Sequence, residues 1–354
     1  MTVAHDDPYV GRLFEEIATL LVDGDGDPAS IHDQLLELAE ANSPEVARYW
    51  RQTGRGVGIP DVAYKSGGPH LFPDETPVRV FRTSGTTGST RGEVRYTKLG
   101  LELKRLAVTA GAKLNVATGA ERTAVIRFAP TEEDQPGMAI AFDMARIEEE
   151  VGAPELSGSI IGPSGMELDK LTAMLDAAVA EGVPVVMVGA TFAFVNVCDA
   201  LRGLGRSWEL PPGSKVVDGG GFKGRSRVMA VPQLRATLTE VFGVVEFDNI
   251  FGMTELAHQL FNASPTQLGP LGESPKVWRP WGGARLRASG TRELITEGRG
   301  LVEVTDLCLL DRPCAVLTGD VGIGSPEGVA IAGRVAGAAS RGCSLSLDEM
   351  TGGR

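Results

Sequence analysis

The chain has 354 residues, 42% of them hydrophobic and 23% charged, enough to bury a sizeable core in one large domain or in about two of roughly 150 residues each. Its 34 Lys and Arg against 46 Asp and Glu leave a formal charge of −12, which argues against a general polyanion binder or an anionic-membrane surface while leaving room for a local basic phosphate pocket. The N-terminus MTVAHDDPYV has no apolar h-region, the longest apolar run (183–197) is interrupted by Pro184, Thr191 and Asn196, and the four Cys and four His show no zinc spacing; the expectation is a reduced cytoplasmic enzyme with no nucleic-acid partner, no membrane partner and no structural metal.

Residues 12–22 place Leu13, Phe14, Ile17, Leu20 and Leu21 at helical spacing, and 30–40 repeat the pattern with Ile31, Leu35, Leu36 and Leu38. The intervening DGDGDP (23–28) lacks the glutamate that closes an EF-hand loop and runs into Pro28, so it reads as a polar interhelical turn. A Gly- and Pro-rich connection follows at 54–77. From 78 to 250 the chain alternates. VRVF (78–81) reads as a strand, 99–114 as a helix, 123–129 as a strand and 168–180 as a helix. VPVVMVG (183–189) reads as a buried strand, then come a helix near 193–201, a short strand KVVDGG, a helix at 232–242 and the strand VVEFDNI. Fully apolar strands alternating with helices predict a parallel sheet covered on both faces, an α/β fold that suits the 46 glycines. After Trp278 the short strands ARLRA, RELIT, GLVEVTDLCLL, CAVLTG and GVAIAG predict an appended β-rich lobe. The expected organisation is a helical segment at 1–75, a core at 76–335 with the β-rich lobe from 278, and a tail at 336–354 that carries Cys343.

The segment Thr83-Ser84-Gly85-Thr86-Thr87-Gly88-Ser89-Thr90-Arg91-Gly92 directly follows a predicted strand. Its glycines let backbone N–H groups approach an anion, its hydroxyls add donors, and Arg91 adds charge, a combination suited to a polyphosphate. It does not match the Walker A spacing, and without its context it also reads as a plain flexible loop. Phe251-Gly252-Met253-Thr254-Glu255 puts a hydroxyl and a carboxylate at the carboxyl end of a predicted parallel strand, where open α/β sheets bind ligands. Taken alone, Thr-Glu also starts helices as an N-cap. Thr318-Gly319-Asp320 reads either as a ligand-binding turn or as an ordinary β-turn, and Gly333-Arg334 closes a strand. Asp218-Gly219-Gly220-Gly221-Phe222 offers three glycines for close backbone approach to a flat ring.

These motifs, in this order, resemble the phosphate loop, the aromatic-G-x-T-E, the T-G-D and the G-R of the adenylate-forming superfamily, with Thr90 in place of Pro and Arg91 in place of Lys. The resemblance implies its large-domain fold, with ATP and Mg²⁺ as cofactors. It implies that Thr83, Ser84, Gly85, Thr86, Thr87, Gly88 and Arg91 hold the triphosphate, Glu255 holds Mg²⁺ and Thr254 contacts the α-phosphate. By the same resemblance Asp320 accepts from the ribose hydroxyls, Arg334 approaches ribose and phosphate, and Gly219, Gly220 and Gly221 carry the adenine. The acid pocket is expected to include Phe222, Phe251, Gly252, Met253 and His258. His258 stands at Glu255 plus three and would share its helical face if a helix begins there.

The segments VPVVMVGATFAFVNVCDAL, LPPGSKVVDGGGFKGRSR, FGMTELAHQLF and GRVAGAASRGCSLSLDE resemble more closely the acyl-protein synthetases of bacterial bioluminescence and their natural-product relatives. The implied reaction turns a carboxylic acid and ATP into an acyl-adenylate. The acyl group then passes to a cysteine near the C-terminus and on to an acyl-accepting partner protein such as a reductase or carrier. Cys343, two positions from Arg341, is the implied thiol; Cys198, Cys308 and Cys314 lie in apolar contexts and are expected in the core. Only twenty residues follow Arg334, so the mobile C-terminal domain of the acyl-CoA type and its lysine are expected to be missing. Lys223 is the expected catalytic substitute, with Arg225 and Arg227 beside it, unless this run is a solvated cluster paired with acids. Trp278 and Trp281 could cover an aromatic acid or pack in the core. Two alternatives stay open: a ligase that forms only the adenylate or a CoA thioester without using Cys343, and a catalytically inactive nucleotide-binding regulator.

Overall fold

In the computed structural model the described residues are 2–64, 67–83, 92–220, 227–263 and 274–334. The chain divides into two compact units. The first combines Met1–Ala110, Met253–Ala263 and Glu273–Ala339; the second is chiefly Gly111–Gly252.

Three helices open the first unit: Pro8–Val22, Pro28–Asn42 and Pro44–Thr53. Each starts with a proline behind a capping Asp7, Asp27 or Ser43, whose side chain accepts a first-turn N–H. The acidic DGDGDP stretch is thereby an interhelical turn that supplies the Asp27 cap. Leu13, Ile17, Leu20, Ile31, Leu35 and Leu36 are buried, as their helical spacing predicts. The third helix was not legible in the sequence.

The unit's principal sheet has seven strands. Its antiparallel order is Pro275–Lys276, Gly328–Arg334, Ala315–Ser325, Gly298–Asp306, Gly282–Arg287 and Leu294–Ile295, and Ile59–Pro60 pairs parallel with Ala315–Ser325. This is the β-rich part anticipated after Trp278. Glu303, fully buried on Gly298–Asp306, accepts from Arg285 Nε (2.6 Å), Arg287 Nε (2.8 Å) and the Gly58 N–H (2.7 Å). One carboxylate thus ties two sheet strands to the N-terminal segment.

The strand at Arg79–Arg82 departs from expectation. It pairs antiparallel with Glu93–Tyr96 in a two-stranded hairpin and takes no part in the parallel sheet. The 83–92 segment therefore connects two hairpin strands, not a strand to a crossover helix.

The second unit carries the parallel sheet, in the order Glu246–Ile250, Lys215–Gly219, Val185–Ala190, Ala124–Phe128 and Gly158–Ser159. Every residue of Ala124–Phe128 and Val185–Ala190 is buried, the mark of strands covered on both faces. Helices Ala139–Val151, Leu168–Glu181, Thr191–Gly203 and Val231–Phe242 alternate with the strands. The helix at Ala139–Val151 was missed, although Ala139, Ala141, Phe142, Met144 and Ile147 form its buried face. Helix Lys98–Asn115 carries the chain from the first unit into the second. Among the described residues no helix is long and apolar enough to cross a membrane.

Candidate active site

The 83–92 loop is closed at its base. The Thr83 N–H donates to the Gly92 carbonyl at 2.8 Å, and the Gly92 N–H donates to Thr83 Oγ1 at 3.0 Å. Thr83 is buried, so its hydroxyl serves this closure. Ser84, Gly85, Thr86, Thr87, Gly88 and Arg91 lie outside the described residues, as do Gly221, Phe222, Lys223 and Cys343.

Met253, Thr254, Glu255 and His258 lie together in a buried stretch of turns and bends. No helix begins there, so the expected helical face shared by Glu255 and His258 does not exist. Side chains hold this irregular backbone instead. Arg312 Nη1 donates to the Glu255 carbonyl at 3.4 Å. Lys104 Nζ and the Tyr96 hydroxyl both donate to the Leu256 carbonyl, at 3.2 and 3.3 Å. The Ala257 and His258 N–H groups donate to Asp306 Oδ2 at 2.7 and 3.1 Å, and His258 Nδ1 stands 3.0 Å from Asp306 Oδ1. Burial alone would raise the Asp306 carboxyl; the facing His258 and the N–H groups of His258 and Ala257 outweigh it and bring it down to about 2.

The same supports reach the hairpin that carries the 83–92 loop. Arg312 Nη2 donates to the Arg95 carbonyl at 3.0 Å, and the guanidinium carbon lies 4.1 Å from the Tyr96 ring centroid. Asp311 accepts from the Thr97 N–H (3.0 Å) and the Thr97 hydroxyl (2.6 Å). Burial raises the Asp311 carboxyl, with Arg312 and Thr97 opposing it. Beside them burial pushes the Tyr64 phenol up. His70 falls to about 4 through burial, helped by Arg312 and Arg95.

Thr318-Gly319-Asp320 is not the turn its sequence suggests: it lies inside strand Ala315–Ser325, which is paired on both sides, with Asp320 opposite Arg334 of the G-R pair in register. The Thr318 hydroxyl donates to the Val302 carbonyl and accepts from the Asp320 N–H, both at 3.0 Å. Arg334 Nη2 lies 3.0 Å from Asp61 Oδ2, which also accepts the Gly319 N–H at 3.4 Å. Asp320 is fully buried.

In the second unit, three neighbouring strand ends carry a polar cluster. Asp218 lies opposite Gly189 and Asn249 in register, and Gly219 opposite Ala190 and Ile250. The Thr191 hydroxyl donates to Asp218 Oδ2 and to the Gly219 carbonyl, and Asn249 Nδ2 donates to Asp218 Oδ1 at 3.3 Å. A Cβ at Gly219 would lie 2.8 Å from the Ile250 carbonyl oxygen, and Gly220 has φ 77°, so backbone geometry calls for both glycines. The cluster stands at the carboxyl ends of parallel strands, the ligand-binding edge of such sheets. Phe251 and Gly252 follow directly and end this unit's main segment.

Cys198, Cys308 and Cys314 are buried, and burial pushes their thiols up, to about 12 for Cys198 and Cys314. None is poised as a thiolate. Arg227 pairs with Asp199 at 2.8 Å, the solvated-cluster reading for that member of the basic run. Trp281 is buried and Trp278 half exposed. Sequence reasoning missed Asp61, Lys104, Thr191, Asn249, Asp306 and Arg312, since none falls in a recognisable motif.

The family model described as acyl-protein synthetase, LuxE, matches residues 59–351. A search of curated proteins found no significant match. Among solved structures the chain is similar to McyG A-PCP complexed with phenylalanyl-adenylate, with TM-score 0.52 and 19% identity, covering 76% of this chain and 48% of that one. It is similar to o-succinylbenzoate coenzyme A synthetase (MenE) from Bacillus subtilis in complex with ATP and magnesium ion, with TM-score 0.50 and 14% identity over 75% of this chain and 53% of that one. A third is 2-hydroxyisobutyryl-CoA ligase in complex with 2-HIB-AMP and CoA, with TM-score 0.57 and 14% identity over 92% and 67%. The chain spans about half the length of the first two. At these identities the likeness establishes the fold, which is α/β and that of adenylate-forming enzymes.

Proposed function

The chain belongs to the acyl-protein synthetase family, a family of ligases, and from that premise we propose that it activates a carboxylic acid with ATP as an acyl-adenylate and hands the acyl group to a thiol. The observation that carries the reading is the tie, through Arg312 and Tyr96, between the hairpin bearing the 83–92 loop and the turn bearing Thr254 and Glu255. A polyphosphate cradle and a carboxylate for its metal ion must be held in fixed relation if a triphosphate is to span both.

In the proposed first step a carboxylate oxygen attacks the α-phosphorus of ATP, a new P–O bond forms, and the bond to pyrophosphate breaks. Ser84, Gly85, Thr86, Thr87, Gly88 and Arg91 bind the triphosphate, Thr83 closes the base of their loop, and Thr254 contacts the α-phosphate. Asp320 accepts from the ribose hydroxyls, and Arg334 lies beside ribose and phosphate. Sequence resemblance supports assigning the adenine to Gly219, Gly220 and Gly221 and the acid to Phe222, Phe251, Gly252, Met253 and His258. Lys223 supplies positive charge toward the α-phosphate.

The residues fit Mg²⁺: Glu255 offers a hard carboxylate oxygen of the kind this ion takes. Magnesium characteristically takes one or two carboxylates and completes its shell with phosphates and water. Bound there, the ion would neutralise phosphate charge.

In the proposed second step the Cys343 sulfur attacks the acyl carbon, the bond to AMP breaks, and the thiol proton passes to solvent. Sequence resemblance supports this step, and a reductase or carrier protein is the proposed final acceptor, in a biosynthetic pathway. The test is ATP–pyrophosphate exchange over a panel of fatty and aromatic acids. Acid-dependent exchange is expected. Saturable ATP binding with no acid-stimulated pyrophosphate release would leave a nucleotide-binding regulator instead.

A further inference from the structure

Three charged side chains support the turn at 254–258, and all are withdrawn from water: Lys104 and Arg312 are 1% exposed and Asp306 0%. Burying a charge is costly unless geometry repays it, and for stability alone apolar residues of similar size often serve as well. Such a concentration around one short stretch of irregular backbone points to a requirement on that backbone's position.

Two members reach both motif-bearing segments: Lys104 joins the Leu256 carbonyl to the Phe81 ring of the hairpin at 5.9 Å, and Arg312 hydrogen-bonds to backbone on both sides. One nitrogen donates to the Glu255 carbonyl and the other to the Arg95 carbonyl, while the guanidinium lies over Tyr96, whose own hydroxyl donates to Leu256. Its neighbour Asp311 fastens Thr97, the residue after the hairpin, and Asp306, at the start of the same 306–314 connection, fastens Ala257 and His258. We propose that Arg312 is a positioning residue that sets the spacing between Glu255 and the hairpin carrying the phosphate loop, and so governs affinity for magnesium-bound nucleotide. The inference rests on the adenylate-forming reading given above. A planar guanidinium can serve two carbonyls at fixed separation and stack on a ring at once; an ammonium cannot.

The experiment uses the full chain and compares wild type, Arg312→Lys, Arg312→Ala and Glu303→Gln. Binding of ATP is measured by calorimetry with and without Mg²⁺, alongside ATP–pyrophosphate exchange and thermal unfolding. For Arg312→Lys the expected result is roughly tenfold weaker binding of Mg·ATP, as for loss of a charged hydrogen bond, and a raised Mg²⁺ requirement. Binding of metal-free ATP should change less. Added ethylguanidinium should restore part of the binding to Arg312→Ala, which a merely structural loss would not allow. Glu303→Gln should lower thermal stability while keeping the wild-type Mg²⁺ requirement. If Arg312→Ala does not fold, Arg312→Lys decides alone. Wild-type Mg·ATP affinity and Mg²⁺ requirement in Arg312→Lys would overturn the inference while leaving the adenylate reading intact. A wild-type protein that binds no Mg·ATP would remove the reading and the inference with it.

Discussion

Asp61 and Arg334, 273 positions apart in the chain, meet at 3.0 Å in a largely buried ion pair. Asp61 also accepts the Gly319 N–H, so one carboxylate aligns the T-G-D segment of its strand with the arginine opposite it. Asp61→Asn keeps the shape and loses the charge. The expected result is an ATP KM raised about tenfold with kcat nearly unchanged, the size of one charged hydrogen bond. An unaltered KM would show that Arg334 needs no such partner.

Glu255→Ala is expected to reduce acid-dependent pyrophosphate exchange by about a thousandfold, the scale seen when a group stabilising transition-state charge is removed. Far-UV circular dichroism should stay native, since Arg312 and Asp306 hold the turn through its backbone groups. Unchanged exchange refutes the metal-holding role.

Cys343→Ser separates the two proposed steps. Exchange should persist at wild-type rate, and covalent labelling by a radioactive acid should vanish. The buried thiols of Cys198, Cys308 and Cys314 are poorly placed to substitute. Persistent labelling puts the acceptor elsewhere.

Glu303→Gln leaves Arg285 and Arg287 facing a neutral amide in a buried setting. Breaking such a pair costs about 3–5 kcal/mol, which for a chain this size lowers Tm by roughly 5 °C. Calorimetry measures this directly; a shift of a degree or less means the cluster relaxes into solvent.

Acid stability should fall in two stages. His70 has its folded value lowered from 6.5 to about 4, so the unfolded chain takes up the proton first, and stability is lost as pH drops from 6.5 toward 4. Asp306 is lowered from 3.8 to about 2, so its stabilisation is complete above pH 3.8 and lost as pH falls toward 2. His70→Asn should flatten the first stage and leave the second. Chemical denaturation at stepped pH reads both, and an unmoved first stage in the variant assigns it to other groups.

The α/β architecture and the family were legible in the sequence because their signals are local. Apolar runs such as 183–189 and the compact strings TSGTTGSTRG and FGMTE keep their meaning whatever surrounds them. The hairpin was not legible: EVRY is short, and its partner lies across a loop longer than common hairpin turns. The supports of the 254–258 turn were hidden for another reason. Lys104 sits in a helix where a lysine reads as a solvent-facing residue, and Asp306 and Arg312 acquire their roles through contacts dozens of residues away. Asp61 was passed over inside a connection rich in Gly and Pro. Motif residues announce a chemistry; the residues that hold them still must be found in three dimensions.

The division of the chain has a practical consequence. Most of the second unit is one uninterrupted run, 111–252, whereas the first draws on three separated stretches. The run 111–252 contains all five strands of the parallel sheet and the helices between them. No single cut releases the other half, and trimming from either terminus erodes that half before it touches those strands.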